Sequence, residues 1–349
     1  MTSRERLLCA IELGTPDRVP VTPWGLGRIP EDSELGQRII RECDPFIGAS
    51  VGGGDWFLGT EVTTRTEDRD GKMYSVIETP GGDLYSRYQR TEVTGAYVEF
   101  FCKSADDVQK LLACPYRPPE VDTSPFIARK DQIGEDGLVG AGLTNPGAIP
   151  ARFLAPEDYC LLWVEHRDLF LELVRVAAER CYHWVEQACR GGVDCFRIIG
   201  GEFASTQLGP EGFRATMLEF DRPMVEIMHE HGALAHYHNH GPMGRFLEML
   251  ADIGIDSLDP LEGPPWGDTT LAECKQRIGD RVCLLGNLDD MEVLDKLDGA
   301  TIEQLAEECI LAAGPDGYLL GGTTSGTFTE HAGWNFLRMV EVSKRMAAG

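Results

Sequence analysis

The chain has 349 residues, 42% hydrophobic and 26% charged, a composition typical of a globular protein with a large buried core. Its 57 acidic and 32 basic residues give a formal net charge of −25, which repels nucleic-acid phosphates and anionic lipid surfaces. No run approaches the roughly 20 apolar residues that a membrane-spanning helix needs. Nucleic-acid binding and membrane insertion are therefore excluded. The acidity is explained by solubility or by docking to a partner with a basic surface.

The cysteines indicate a reducing compartment. There are 11 of them, an odd number, and no Cys-x-x-Cys pair occurs. The segment Met1 to Leu13 is charged and amphipathic and does not resemble a secretory signal. Reduced thiols and a cytoplasmic location are the prediction.

Short apolar runs bounded by turn residues predict eight strands. They are Val19–Trp24, Ala49–Trp56, Leu138–Leu143, Cys195–Gly200, Leu234–Asn239, Ser257–Leu261, Val282–Asn287 and Tyr318–Gly322. From the third strand onward, helical patterns follow the strands: Arg167–Ala188, Pro210–His229, Pro242–Ile253, Leu271–Ile278, Ile302–Ala312 and a final helix at Thr329–Met346. This alternation is typical of a parallel sheet, because parallel strands require such crossovers. It predicts one α/β domain over residues 1–349, a (β/α)₈ TIM barrel.

Two segments depart from the alternation. Thr60–Phe101 has alternating polarity, Asp70-Gly71 and Gly81-Gly82 turn signals, and no helical period. It predicts a β-hairpin or small meander inserted after the second strand, at residues 60–101. Thr2–Leu13 predicts a leading helix with Ser3 as its N-cap.

The densest chemical signal is the run from His236 through His238 to His240 on the fifth predicted strand. Side chains alternate across a strand, so these three imidazoles share one face. Glu262 ends the neighbouring strand, and adjacent strands lie about 4.8 Å apart. Two His and one Glu form a known catalytic zinc set, and the same set suits iron. We predict that His238, His240 and Glu262 bind the metal, while His236 is either a ligand or a hydrogen-bonded core residue. A single histidine at a strand end is more often only a hydrogen-bonding residue.

Three further polar residues follow predicted strands, where the active sites of such barrels lie. Glu202 is predicted as a general acid or base, or as a substrate contact. Asn145 and Asn287 are predicted to orient a substrate or a metal ligand. For each of the three, the alternative is a structural role in bonding the backbone.

The order of these motifs resembles a known family. Pro16-Asp17-Arg18-Val19-Pro20 is similar to the start of the uroporphyrinogen decarboxylase superfamily. His238-Asn239-His240-Gly241, followed after a helix by Gly254-Ile255-Asp256, is similar to the pattern of its cobalamin-linked methyltransferase branch. The likeness covers nearly the whole chain.

The resemblance implies zinc held by His238, by the second motif position and by an acidic group on the next strand. It implies transfer of a methyl group to or from a corrinoid carried by a partner protein, and it is compatible with a homodimer. Thiol-activating members have cysteine at the position of His240 and again near Thr324 or Ser325. A shell of nitrogen and oxygen ligands instead favours an oxygen donor, such as a methyl ether-like substrate.

Two alternatives stay open. One is a metal-dependent lyase or decarboxylase acting on a small acid on the same scaffold. The family's own decarboxylase is disfavoured, since it needs no metal and binds propionates with paired arginines, whereas Trp24 to Arg28 contains one arginine. The other is a binding protein that has kept the barrel and lost catalysis. Methyl transfer to free cob(I)alamin would distinguish a corrinoid methyltransferase from the lyase and from the binding protein.

Overall fold

The computed structural model describes residues 1–90, 95–324 and 326–348. Within them the chain forms the strands β1 (Val21–Thr22), β2 (Phe46–Ala49), β3 (Thr64–Arg69), β4 (Lys72–Ile77), β5 (Leu84–Arg90), β6 (Gly95–Glu99), β7 (Leu138–Thr144), β8 (Cys195–Ile199), β9 (Leu234–His238), β10 (Ser257–Asp259), β11 (Cys283–Leu288) and β12 (Tyr318–Gly322).

The helices of the same residues are α1 (Ser3–Ile11), α2 (Glu34–Glu42), α3 (Ala105–Leu112), α4 (Ser124–Ile133), α5 (Ile149–Phe153), α6 (Pro156–Glu165), α7 (Arg167–Arg190), α8 (Gly201–Gln207), α9 (Gly209–Phe213), α10 (Glu219–Glu230), α11 (Leu247–Ile253), α12 (Leu271–Ile278), α13 (Gly299–Ala313) and α14 (Glu330–Ala347). Short 3₁₀ turns lie at Gly134–Asp136 and Pro146–Ala148, and π-helical turns at Arg214–Leu218 and Asp290–Leu294.

Eight of the described strands form a parallel barrel. Their order is β1-β12-β11-β10-β9-β8-β7-β2, and every neighbouring pair is parallel. A parallel bridge between Trp24 and Phe46 joins the two ends of the sheet and closes it. The predicted (β/α)₈ fold is confirmed.

The predicted second strand, Ala49–Trp56, is wrong, because β2 covers Phe46–Ala49. The residues after it form a glycine loop in which Gly53 has φ 110°. A Cβ on Gly53 would lie 1.6 Å from the Glu120 carbonyl oxygen, so the glycine permits close approach of two backbones. The apolar appearance of this run reflects packing of the loop and not a strand.

The insertion is a four-stranded antiparallel meander in the order β3-β4-β5-β6. Its first turn is Asp70-Gly71, with φ values of 54° and 75°, and it joins the paired residues Arg69 and Lys72. These dihedrals match the tight hairpin turn that the Asp-Gly signal predicts. The expected hairpin or meander is therefore present.

Two helices and one N-cap differ in position from those predicted. Pro210–His229 is divided into α9, a π-helical turn and α10, and the helix predicted from Pro242 begins only at Leu247. The N-cap of α1 is Thr2, whose hydroxyl accepts a hydrogen bond from the backbone N–H of Glu5 at 3.1 Å, and not Ser3. None of these shifts moves a strand end, so the barrel mouth is unaffected.

The barrel interior is apolar at its amino-terminal end. Helix α1 packs there against inward side chains of the strands, including Leu138, Cys195, Leu285 and Leu319. Strands β9 and β10 carry the buried polar side chains His236, His238 and Asp259. The carboxyl-terminal ends of the strands, where His238 and Asp259 lie, are where the active sites of such barrels are found.

The cysteines act as core residues. None of the 11 forms a disulfide, and most are buried. Burial raises the pKa of Cys274 and that of Cys309 to about 11, so these thiols stay protonated and unreactive. Among the described helices, none has the length and apolar character needed to cross a bilayer.

Candidate functional site

Strand β9 presents His236 to the barrel interior. Its Nδ1 lies 2.8 Å from the Ser257 hydroxyl, and its ring packs between Trp24 and Phe46, with centroids 5.9 and 4.9 Å away. Its Nε2 lies 3.3 Å from Asp259 Oδ1, without the alignment of a hydrogen bond. His236 is therefore enclosed by protein groups one layer below the mouth.

His238 lies above it, and its Nδ1 is 2.8 Å from Oδ1 of Asp259. Burial alone would raise the pKa of Asp259, but its interactions with the adjacent Arg197, His238 and His236 hold it well below its usual range. An ionised carboxylate only accepts hydrogen bonds, so a proton on Nδ1 of His238 would be donated to Asp259. Arg197 Nη2, which only donates, also lies 2.9 Å from this nitrogen and favours the other tautomer. Burial lowers the pKa of His238 against the opposing effect of Asp259, which favours the neutral ring. In the tautomer that carries its proton on Nδ1, the Nε2 lone pair of His238 is free to bind a metal.

Arg197 and Thr324 complete the surroundings of Asp259. Arg197 Nη2 lies 3.7 Å from Asp259 Oδ2, and its guanidinium stacks 3.9 Å above the ring of Trp24. The Thr324 hydroxyl donates to Asp259 Oδ2 and lies 3.2 Å from His238 Nδ1. Thr324 is one of the two positions at which the family resemblance places a cysteine. The other, Ser325, lies outside the described residues.

His240 stands at the mouth beside His238, with ring centroids 4.4 Å apart. Its Nδ1 lies 3.0 Å from Glu262 Oε1, and Glu262 Oε2 accepts the Gly241 backbone N–H at 2.7 Å. Burial opposes protonation of His240, yet its pKa is raised, chiefly because Glu262 bonds the ring and because Asp259 and Glu202 add negative charge. The three predicted ligands are therefore neighbours.

The nitrogen and oxygen atoms of these side chains are suitable metal ligands, although they do not surround a common point. Among the residues that the structure describes, no three His, Cys, Asp or Glu side chains already surround a common point. Both histidines nevertheless have Nδ1 beside a carboxylate, Asp259 for one and Glu262 for the other. This is the arrangement in which metal-binding histidines are commonly oriented, and it leaves each Nε2 available. Glu262 stands in the orienting position, and a ligand role requires its carboxylate to leave His240.

Glu202 follows β8 at the start of α8, which places it at the same end of the barrel. Its Oε2 is buried and has no hydrogen-bond partner among the described residues. A buried carboxylate oxygen without a partner is costly, so a proton, a water or a ligand group is expected there. This observation supports the predicted acid–base or substrate-binding role.

Asn145 lies on the other side of β9. Its Nδ2 donates to Asp221 Oδ2 at 2.7 Å and to the Tyr237 hydroxyl at 3.0 Å, and its Oδ1 accepts from Ala148 N. Tyr237 faces away from the histidines toward α10, as the strand alternation predicts. The structure therefore does not bring Asn145 to the histidines, and its contacts are structural.

Asn287 is also engaged elsewhere. Its Nδ2 donates to the Leu261 carbonyl at 3.0 Å, and its Oδ1 accepts from the Cys309 thiol on α13 at 3.8 Å. These contacts tie β11 to the loop after β10. A catalytic role for Asn287 finds no support in them.

Asp221 gives a prediction about pH. Burial raises its pKa to about 7, against the hydrogen bonds from Tyr237 and Asn145. The folded state therefore retains a proton that the unfolded state loses near pH 4, so stability falls as pH rises from about 4 to 7 by up to about 1.4 kcal/mol per pH unit. Asp221→Asn lacks this contribution. As the pH rises over that range, the free energy of unfolding of the variant should therefore increase relative to that of the parent. Urea unfolding of both proteins at pH 5, 6, 7 and 8 measures it; parallel curves would contradict the assignment.

The fold and the polar mouth define a (β/α)₈-barrel protein with a candidate site on β8, β9 and β10 and the segments that follow them. The family model described as Uroporphyrinogen decarboxylase (URO-D) matches residues 92–346, and the chain belongs to this family. The family resemblance is thereby confirmed.

Two solved structures are similar to this chain, and the first of them shares its fold. A methyltransferase from Methanosarcina mazei is 14% identical over 99% of both chains, with a TM-score of 0.66. A B12-independent methionine synthase from Shewanella sp. W3-18-1 is 9% identical over 95% of this chain and 98% of its own, with a TM-score of 0.47. The comparison with curated proteins gives no significant match. At such identities the structural likeness establishes the fold alone.

Proposed function

We propose that the protein is a metal-dependent methyltransferase that moves a methyl group from a small methyl ether-like substrate to a corrinoid on a partner protein. The observation that carries the proposal is the pair His238 and His240, each with Nδ1 beside a carboxylate and Nε2 available. Membership of the URO-D family and the fold shared with the M. mazei methyltransferase also support it.

The metal would be held by His238, His240 and Glu262. Two imidazoles and a carboxylate are a known zinc set and also suit iron. When bound there, the metal supplies Lewis-acid polarisation of an oxygen on the substrate. Histidine at position 240, where thiol-activating relatives have cysteine, supports an oxygen donor over a thiol.

Residues of this chain would supply the proton that the reaction requires. Demethylation of an ether would break the carbon–oxygen bond and leave its electron pair on oxygen, so that oxygen would need a proton, and the corrinoid would accept the methyl group. Glu202 would hold this proton at Oε2, which has no partner among the described residues. Below the mouth, the Trp24 ring and the Arg197 guanidinium stack against each other.

Glu202→Gln is expected to lower the rate of methyl transfer by about 10²–10⁴-fold while leaving the metal content unchanged. The assay follows loss of cob(I)alamin absorbance with a panel of methoxylated compounds. Glu211→Gln is the matched control, because Glu211 lies nearby in an exposed ion pair with Arg167. No methyl transfer by the zinc-loaded parent to free or protein-bound corrinoid would contradict the proposed function.

The alternative is a metal-dependent lyase or decarboxylase of a small acid. Arg197 is engaged by Asp259 and Arg152 by Asp55, so in this alternative the metal itself would have to bind the acid group. Release of CO₂ from small acids, without methyl transfer, would favour the alternative.

A further inference from the structure

A cavity of about 630 Å³ lies between the insertion and the barrel mouth, and we call it the roof cavity. Strand β6 contributes Ala96 and Tyr97, and the segments after β7 and β8 contribute Tyr159, Glu202 and Phe203. Its volume is within the range of small-molecule sites, which is about 300–1,000 Å³. Glu202 lines this cavity and its charge acts on His240, while His238 and His240 themselves do not line it.

The walls of the roof cavity are mainly apolar and aromatic. Tyr97 and Phe100 pack with ring centroids 5.5 Å apart, and Phe203 also lines the cavity. Tyr97 is 39% exposed, so part of its ring is available to contact a ligand. Such walls favour a flat apolar ligand, since aromatic rings pack well against one another.

Two buried polar atoms on residues lining the roof cavity have no partner among the described residues: Glu202 Oε2 and the Tyr159 hydroxyl. Burial raises the pKa of Tyr159, so its hydroxyl stays neutral and able to donate. A buried polar group left unpaired in this way is costly. Glu202 requires a hydrogen-bond donor and Tyr159 can use an acceptor, and a ligand hydroxyl can act as either.

We propose that the roof cavity binds a hydroxylated aromatic ring, with a ring hydroxyl donating to Glu202 and the ring against Tyr97, Phe100 and Phe203. This names the substrate class of the proposed function and rests on it for the reaction, because loss of a methyl group from an aryl ether leaves a phenol. An anionic ligand is disfavoured by Glu202 and the net charge of −25. A cationic one is disfavoured by Arg152, which also lines the cavity.

Binding of 4-fluorophenol, 4-fluoroanisole and 4-fluorobenzylamine, followed by fluorine NMR on the metal-free protein without corrinoid, tests this inference. We expect 4-fluorophenol to bind about tenfold or more tightly than the other two, since a hydrogen bond to a charged group contributes about 1.5–3 kcal/mol. Glu202→Leu should abolish the preference and Glu202→Gln should restore part of it. Tyr159→Phe should weaken 4-fluorophenol binding more than 4-fluoroanisole binding.

The position of the ligand is tested by obstruction. Ala96→Trp should weaken binding of the phenol by about tenfold or more, because Ala96 lines the cavity and the indole would occupy the space that the ligand ring needs. Val98→Trp is the control on the same strand, since Val98 is 46% exposed and does not line the cavity. Both positions are exposed, so folding, checked by circular dichroism, should be retained.

Equal binding of phenol and anisole, stronger binding of the amine, or no effect of Ala96→Trp and Glu202→Leu would overturn the inference. The proposed function fails separately. If the protein binds zinc and transfers methyl groups but shows no preference for phenol, only the inference about the cavity is wrong. If it prefers phenol but neither binds zinc nor transfers methyl groups, only the proposed reaction is wrong.

Discussion

Asp259→Ala is expected to lower the free energy of unfolding by about 3–5 kcal/mol, because it removes one partner of a buried charge cluster. The Asp259 side chain is fully buried between His236, His238 and Arg197. Without it, the Arg197 guanidinium, which is 14% exposed, keeps its charge and loses its counter-charge. Burial already lowers the pKa of Arg197, which shows that its environment disfavours the charge.

The same substitution is expected to weaken metal binding by about 10–100-fold, since it removes the carboxylate that orients His238. Urea unfolding of the metal-free protein separates the stability effect from the metal effect. Asp252→Ala is the matched control, because Asp252 forms an exposed ion pair with Arg281 and its loss should cost less than about 1 kcal/mol. Equal losses in the two variants would contradict the assigned role of Asp259.

Asp259→Asn refines the result. Asparagine keeps the shape and one acceptor oxygen, so packing is preserved while the charge is lost. A loss of stability close to that of alanine would assign the effect to charge, whereas a much smaller loss would assign it to packing and hydrogen bonding.

Strand periodicity predicted most of the barrel, because its buried parallel strands are short apolar runs separated by long helices. The second strand could not be placed this way. The glycine loop after it is as apolar as a strand, and what distinguishes it is the approach of its backbone to Glu120, a contact distant in sequence.

The histidines were predictable because alternation along one strand is a local property. Asp259 and Arg197 were not selected, since their roles depend on which residues face each other across strands: Asp259 pairs with His238, and Arg197 with His236. A signal was present, because an arginine within the apolar run Cys195–Ile199 requires a buried partner.

Other parts of the site also depend on contacts between distant segments. Glu262 was expected as a ligand, and the structure places it beside His240 Nδ1, where it orients the ring. The roof cavity exists only because β6 of the insertion comes close to the segments after β7 and β8. No local pattern carries that information.

A second prediction concerns the zinc content of variants at the barrel mouth. The parent protein, supplied with zinc and then desalted, should hold about one zinc per chain, and His238→Ala and His240→Ala should each lose it, since each removes one of three protein ligands. Glu262→Ala distinguishes two roles. Complete loss identifies a ligand, while an affinity lower by about 10–100-fold identifies an orienting carboxylate.

Metal analysis of the purified parent beside His238→Ala and His240→Ala tests the central claim most directly, with the exposed His183→Ala on α7 as control. The account predicts about one zinc per chain in the parent and in His183→Ala, and almost none in the other two. A parent that holds no metal after zinc is supplied, or histidine variants that keep it, would contradict a metal site at the mouth of this barrel.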